Sequence, residues 1–303
     1  LSAGLNSVIA IYITIPFILV PQILLSGTVV KFDNLHPSLT QRVYVPIVGD
    51  LMVSRWAFEA MAVEQFKKNR FHKHFYDMEQ VVSESNFVAN YLIPRLQSLK
   101  EESVRIADNT NEDAQRLKRN LTIVRNELVI LHLRDTIPPF EFFPNLYPNE
   151  FHEATANELF GYLFYIRMLY NSRGANARRA MDNLYSTLSD EIGAEALQLS
   201  RKRNHNKAIA EWVLNTHDVV KLLETDQRII SKLDPAYTIP EHNWGRAHMY
   251  APVKRFNRQP VDTLWFNLAV IWMASLVLFV TLQVNLLGKL VNLKITPRAS
   301  KRP

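Results

Sequence analysis

The residues best able to do chemistry are few and scattered. His72-x-His74 with Asp77 has the composition of a metal site. Residues two apart do not share a helix face, however, and no second cluster completes a ligand set, so these read as surface polar residues. The adjacent acids Glu101-Glu102 and Asp190-Glu191 point to different faces and read as solvated helix surface rather than an acid/base pair. There is no cysteine, which removes disulfides, thiolate metal sites and cysteine nucleophiles. No G-x-x-x-x-G-K-[ST] loop occurs among the eight glycines, and no nucleophile elbow is present. Arg201-Lys202-Arg203 is a short basic helix end and does not suggest a nucleic-acid partner. Asn120-Leu121-Thr122 spells a glycosylation sequon, but Leu121 falls on an apolar seam, so a chance occurrence is preferred.

The informative elements are apolar. No Asp, Glu, Lys or Arg occurs from Leu1 to Val30, and a second uncharged stretch runs from Thr263 to Gly288. About 20 apolar residues suffice to cross the ~30 Å hydrocarbon core of a bilayer as a helix. Two such stretches predict an integral membrane protein with the lipid bilayer as a partner. Pro16, Pro21 and Gly27 interrupt the first, which predicts a broken helix inside a bundle rather than a plain tether. Ile13, Phe17 and Gln22 could then face a central cavity or pack against a neighbour.

The expected division is 1–71, a transmembrane helix plus re-entrant or interfacial helices; 72–262, a helical extracytoplasmic insert; 263–290, the final transmembrane helix; and 291–303, a basic cytoplasmic tail. Net charge is +6 over 303 residues. Lys289, Lys294, Arg298, Lys301 and Arg302 follow the second span, which places the C-terminus in the cytoplasm and the insert outside it. The chain opens at Leu1 on an apolar stretch without the basic n-region of a signal peptide, so it is expected to be the C-terminal part of a longer protein.

Between the spans, Val43 to Met52 is apolar but too short to cross. Ser54 is a candidate N-cap for a helix from Arg55 to about Phe66. Helical spacing continues from Phe75 to about Asp108 with a break at Pro94. After a cap at Thr110 or Asn111, it resumes along the seam Ala114, Leu117, Leu121, Val124, Leu128 and Leu131, which needs a partner helix, the preceding one being nearest. Residues 136–151 break the period with four prolines, and their aromatics read as pins onto the core in preference to a recognition surface. Further helices are expected over Glu153 to Ser172, Asn176 to Arg203 and Asn206 to Lys232. The fold class is therefore an all-α membrane protein.

One group of residues carries a likeness. Ser26-Gly27-Thr28-Val29-Val30, a polar connection, then Ser54-Arg55-Trp56-Ala57-Phe58-Glu59-Ala60 and Glu64-Gln65-Phe66 resemble the end of the permease domain of G-type ABC transporters, the white and pleiotropic-drug-resistance group. Trp265 to Lys294 is similar to the last helix of that domain, and the likeness covers about a third of the chain. It implies re-entrant helices between the last two spans. The positions after the Ser-Gly, here Thr28 and Val29, would form an apolar plug on a substrate path that Phe17 and Gln22 could line. Thr28 departs from the bulky Leu usual in some members. The resemblance also implies a dimer and a nucleotide-binding domain in cis or trans, with ATP and Mg held there and no cofactor in this chain. The insert departs from the modest external loop of the family, and its extracytoplasmic partner is open. The expected function is the permease portion of an ATP-driven exporter of a hydrophobic or amphipathic substrate in a bacterial inner membrane. The alternative is a two-span membrane sensor with a helical extracytoplasmic ligand-binding domain.

Overall fold

The computed structural model describes residues 8–27, 29–32, 35–36, 43–108, 114–135, 137–285 and 289. The chain is mostly helical and divides into two compact units. Unit 1 takes its residues from Leu1–Ala62, Pro240–Met249 and Val253–Pro303, and unit 2 from Val63–Ile239 and Tyr250–Pro252.

In unit 1, α1 (Val8–Leu24) runs unbroken through Pro16 and Pro21, where the sequence predicts interruption. α2 (Ile47–Asp50) is a single turn, and α3 (Val53–Lys67) begins before Ser54. Ser54 is therefore not the cap of α3; its hydroxyl donates instead to the Gln22 carbonyl at 2.9 Å. β3 (Val253–Phe256) and β4 (Gln259–Asp262) form an antiparallel hairpin. Its two-residue turn, Asn257-Arg258, has positive φ at both positions, the backbone that matches strand twist. Asp262 closes the hairpin and caps α10 (Thr263–Gln283), its Oδ1 accepting from Leu264 N at 3.1 Å. Among the described residues, α10 alone is long and apolar enough to cross a membrane; α1 has 17 residues.

Unit 2 is built on α4 (Tyr76–Phe87), α5 (Ile93–Asp108), α6 (Ala114–Asp135) and α7 (Glu153–Ile192). Between α4 and α5, residues Val88–Leu92 form one π-helical turn, and this wider turn accommodates Pro94 without breaking the rod. The α6 seam packs on α5, with Leu117, Leu121, Val124, Leu128 and Leu131 buried. The expected cap at Thr110 or Asn111 lies outside the described residues. Ile137, Phe140, Leu146 and Phe151 join the core with Phe143 packed against it, so the proline-rich segment is pinned, whereas the aromatics Phe142 and Tyr147 stay exposed.

Two boundaries differ from the sequence reading. α7 is continuous for 40 residues, where a break at residues 173–175 is expected. Gly174 lies against α4, and a Cβ there would sit 3.1 Å from that of Ser85, so the glycine permits close helix approach rather than ending the helix. The break comes at Gly193, before α8 (Ala194–Asn204). The helix expected over 206–232 is only α9 (Lys207–Val213), capped by Asn206. It is followed by the hairpin β1 (Leu222–Glu224) and β2 (Ile229–Ser231). The intervening turn is closed by Thr225, whose hydroxyl accepts from Arg228 N at 3.0 Å, a local bond that competes with helix.

Candidate functional site

Each unit carries a polar centre. In unit 1 it is a sealed charge cluster built from α2, α3, β3 and α10. Glu59, with no exposed surface, receives Arg55 Nη1 at 2.9 Å, Lys254 Nζ at 2.9 and 3.0 Å, and Asn267 Nδ2 at 3.0 Å. Arg55 also pairs with Asp50 at 2.8 Å and lies over the Trp56 ring at 3.6 Å. Trp56 donates through Nε1 to the Asp50 carbonyl. Arg55, Glu59 and Lys254 are thus buried together, with Asp50 part-exposed at the edge of the group. Arg55 Nε and Asn267 Oδ1 have no partner among the described residues. The helical spacing of residues 55 and 59 puts Arg55 and Glu59 on one face, and the hairpin brings Lys254 across from far along the chain. The chemistry this permits is rigid positioning.

The sequence reading places Glu59 in the segment that carries the resemblance and gives it no role of its own, and it does not single out Lys254 or Asn267. Asn267 had a visible signal, as a polar amide near the start of an otherwise apolar span. Lys254 had none. Of the residues suggested for the path, Phe17 and Val29 are largely exposed and Gln22 is half-buried. Thr28 lies outside the described residues.

In unit 2 a cleft of about 480 Å³ opens beside α4, α7, α8 and the segment after β2. Phe66, Phe71, Phe75 and Tyr185 supply an aromatic wall, with Phe71 and Phe75 ring centroids 5.1 Å apart. His72 is buried in the wall with its Nε2 3.0 Å from Glu79 Oε2, not on the surface as expected, whereas His74 and Asp77 are exposed. The hydroxyl of Tyr237 donates to the same Glu79 oxygen. Ser83 donates to Asp234 Oδ2 at 2.6 Å. Among the described residues, no group of three or more His, Asp or Glu gathers for a metal.

Burial pushes the Glu79 carboxyl up, but the hydrogen bonds from His72 and Tyr237 outweigh it and hold it below the usual carboxylate range. A second carboxyl behaves alike: burial raises Asp135, while bonds from Tyr170, Arg134 and Arg173 bring it down. Asp234 is the opposite, pushed up by burial against the weaker effect of Ser83. A carboxyl depressed in the folded state stabilises the fold while ionised. That contribution is complete above its ordinary value, 4.5 for Glu79 and 3.8 for Asp135, and is lost as pH falls through the folded-state value. Asp234 contributes in the reverse direction. The near-UV circular dichroism melting temperature should therefore fall on acidification below about pH 4.5, and E79Q/D135N should melt with a shallower acid slope. An identical slope in that variant would contradict this assignment.

Comparison with known protein families, curated proteins and solved structures finds no match for this chain.

Proposed function

We propose that this chain is the membrane portion of an ATP-driven exporter of the G-type permease class. One observation supports the reading most. The Ser54–Ala60 segment that carries the resemblance forms buried helix, and its Glu59 is bonded to Asn267 on the second turn of α10. A carboxylate removed from water and held by two cations and an amide fixes the angle at which a span leaves its neighbour. A permease needs such rigid corners, because nucleotide-driven movement must reach the span undamped. Nucleotide chemistry belongs to a domain in cis or trans, which holds ATP and Mg. Two copies, or this chain and a homologous one, enclose the path for a hydrophobic or amphipathic substrate in a bacterial inner membrane. Unit 2 then lies outside the cytoplasm and the C-terminus inside.

The test is to tag the native protein within this chain, purify it with whatever accompanies it, and assay ATP hydrolysis in nanodiscs. Vanadate-sensitive hydrolysis supports the exporter, and its absence from the intact assembly overturns it. The cleft in unit 2 favours the second reading, a two-span sensor, in which ligand binding occurs without any associated ATPase.

A further inference from the structure

The cleft of unit 2 holds a half-buried carboxylate, Asp234, which Lys221 attracts from a distance without pairing to it among the described residues. The Asp234 side chain accepts a hydrogen bond from Ser83 at Oδ2, and no ion pair forms on it among the described residues. Its Oδ1 has no hydrogen-bond partner among the described residues, and Asp234 lines the cleft. Its backbone adopts φ 42°, ψ 68°, a left-handed conformation disfavoured for residues other than glycine, asparagine and aspartate. Such positions persist where the surroundings impose them, often beside a ligand. The other deep groups are already satisfied: Glu79 is held by His72 and Tyr237. At the rim, Asp182 and Arg201 are both exposed and opposite in sign, and water screens them. His205 is also exposed there. The lining thus places a half-buried carboxylate and several aromatic rings in one cleft. Phe75 and Tyr185 contribute that wall with centroids 6.4 Å apart. Ring faces attract cations, and a carboxylate adds to that attraction.

We infer that this cleft binds a small organic cation, an alkyl- or arylammonium, with its head at Asp234 and its body against Phe66, Phe75 and Tyr185. The size agrees, since about 480 Å³ falls within the range of small-molecule sites. An anion would bring its charge against Asp234, on which no cation is paired among the described residues. The inference is independent of the transport reading.

The test uses the full chain in nanodiscs and isothermal titration with benzyltrimethylammonium, with phenylacetate as the anionic counterpart of similar size. Saturable one-to-one binding of the ammonium is expected, with no saturable binding of phenylacetate. D234N keeps an acceptor for Ser83 and tolerates the positive φ, so its melting temperature should not fall while its affinity falls about tenfold or more. Y185A, on the half-exposed side of the wall, should lower affinity severalfold. Absence of ammonium binding at millimolar concentration, equal binding of phenylacetate, or undiminished affinity in folded D234N would each overturn the inference.

Discussion

Replacing Glu59 by Gln is expected to lower the melting temperature by about 10 °C. The amide keeps the size and a bond to Asn267, but it strips the counter-charge from Lys254, whose side chain is 1% exposed and has no other carboxylate within ion-pair distance among the described residues. Removing one member of a buried ion pair costs about 3–5 kcal/mol, because the remaining charge stays desolvated, and for a chain of this size each kcal/mol moves the midpoint by roughly 2–4 °C. Arg55 suffers less, since Asp50 remains at 2.8 Å. Adding K254M removes the stranded charge on Lys254, so the double variant should recover part of the loss. Size-exclusion chromatography of detergent extracts after heating steps would read both. An E59Q protein that survives heating like the parent would mean that the cluster does not hold unit 1 together.

Two excisions should behave very differently. Removing residues 72–262, the insert as the sequence delimits it, takes Lys254, Asp262 and both strands of the β3–β4 hairpin away from unit 1. Removing 68–238 leaves them in place. The ends of the second cut are close, because the rings of Phe66 and Tyr237 lie 5.7 Å apart, and a linker of about six Gly and Ser residues can span them. The shorter excision should leave unit 1 monodisperse and near its parental melting point. The longer one should forfeit about 3–5 kcal/mol and aggregate. On the exporter reading, transport is lost in both. Equal behaviour of the two proteins in gel filtration would show that β3 and Lys254 are dispensable to unit 1.

The difference between those cuts reflects what the sequence could express. Local periodicity carried the helices of unit 2 and the α5–α6 pairing, because seams such as Leu117, Leu121, Val124 and Leu128 repeat within one element. It misplaced the end of α7, because Gly174 looks like a breaker and its use as a contact surface depends on Ser85, almost ninety residues earlier. It read 206–232 as helix, because Leu222, Leu223, Ile229 and Ile230 are apolar in either geometry and the decision rests with the Thr225 turn. The charge cluster was legible only in part: Arg55 and Glu59 are four apart on one helix, whereas Lys254 arrives through a hairpin almost two hundred residues later. Asp234 and Tyr237 lie in an aperiodic segment, and only the folded chain sets them against α4.

Asn120 is sealed in the α6 core with neither amide atom hydrogen-bonded among the described residues, although its triplet is a sugar-acceptor signal. In a secretory compartment that glycosylates such triplets, the acceptor vanishes as soon as α6 docks. The attached sugar would then be a scar of delay: chains that fold promptly stay bare, and those that linger are marked and barred from ever closing this core.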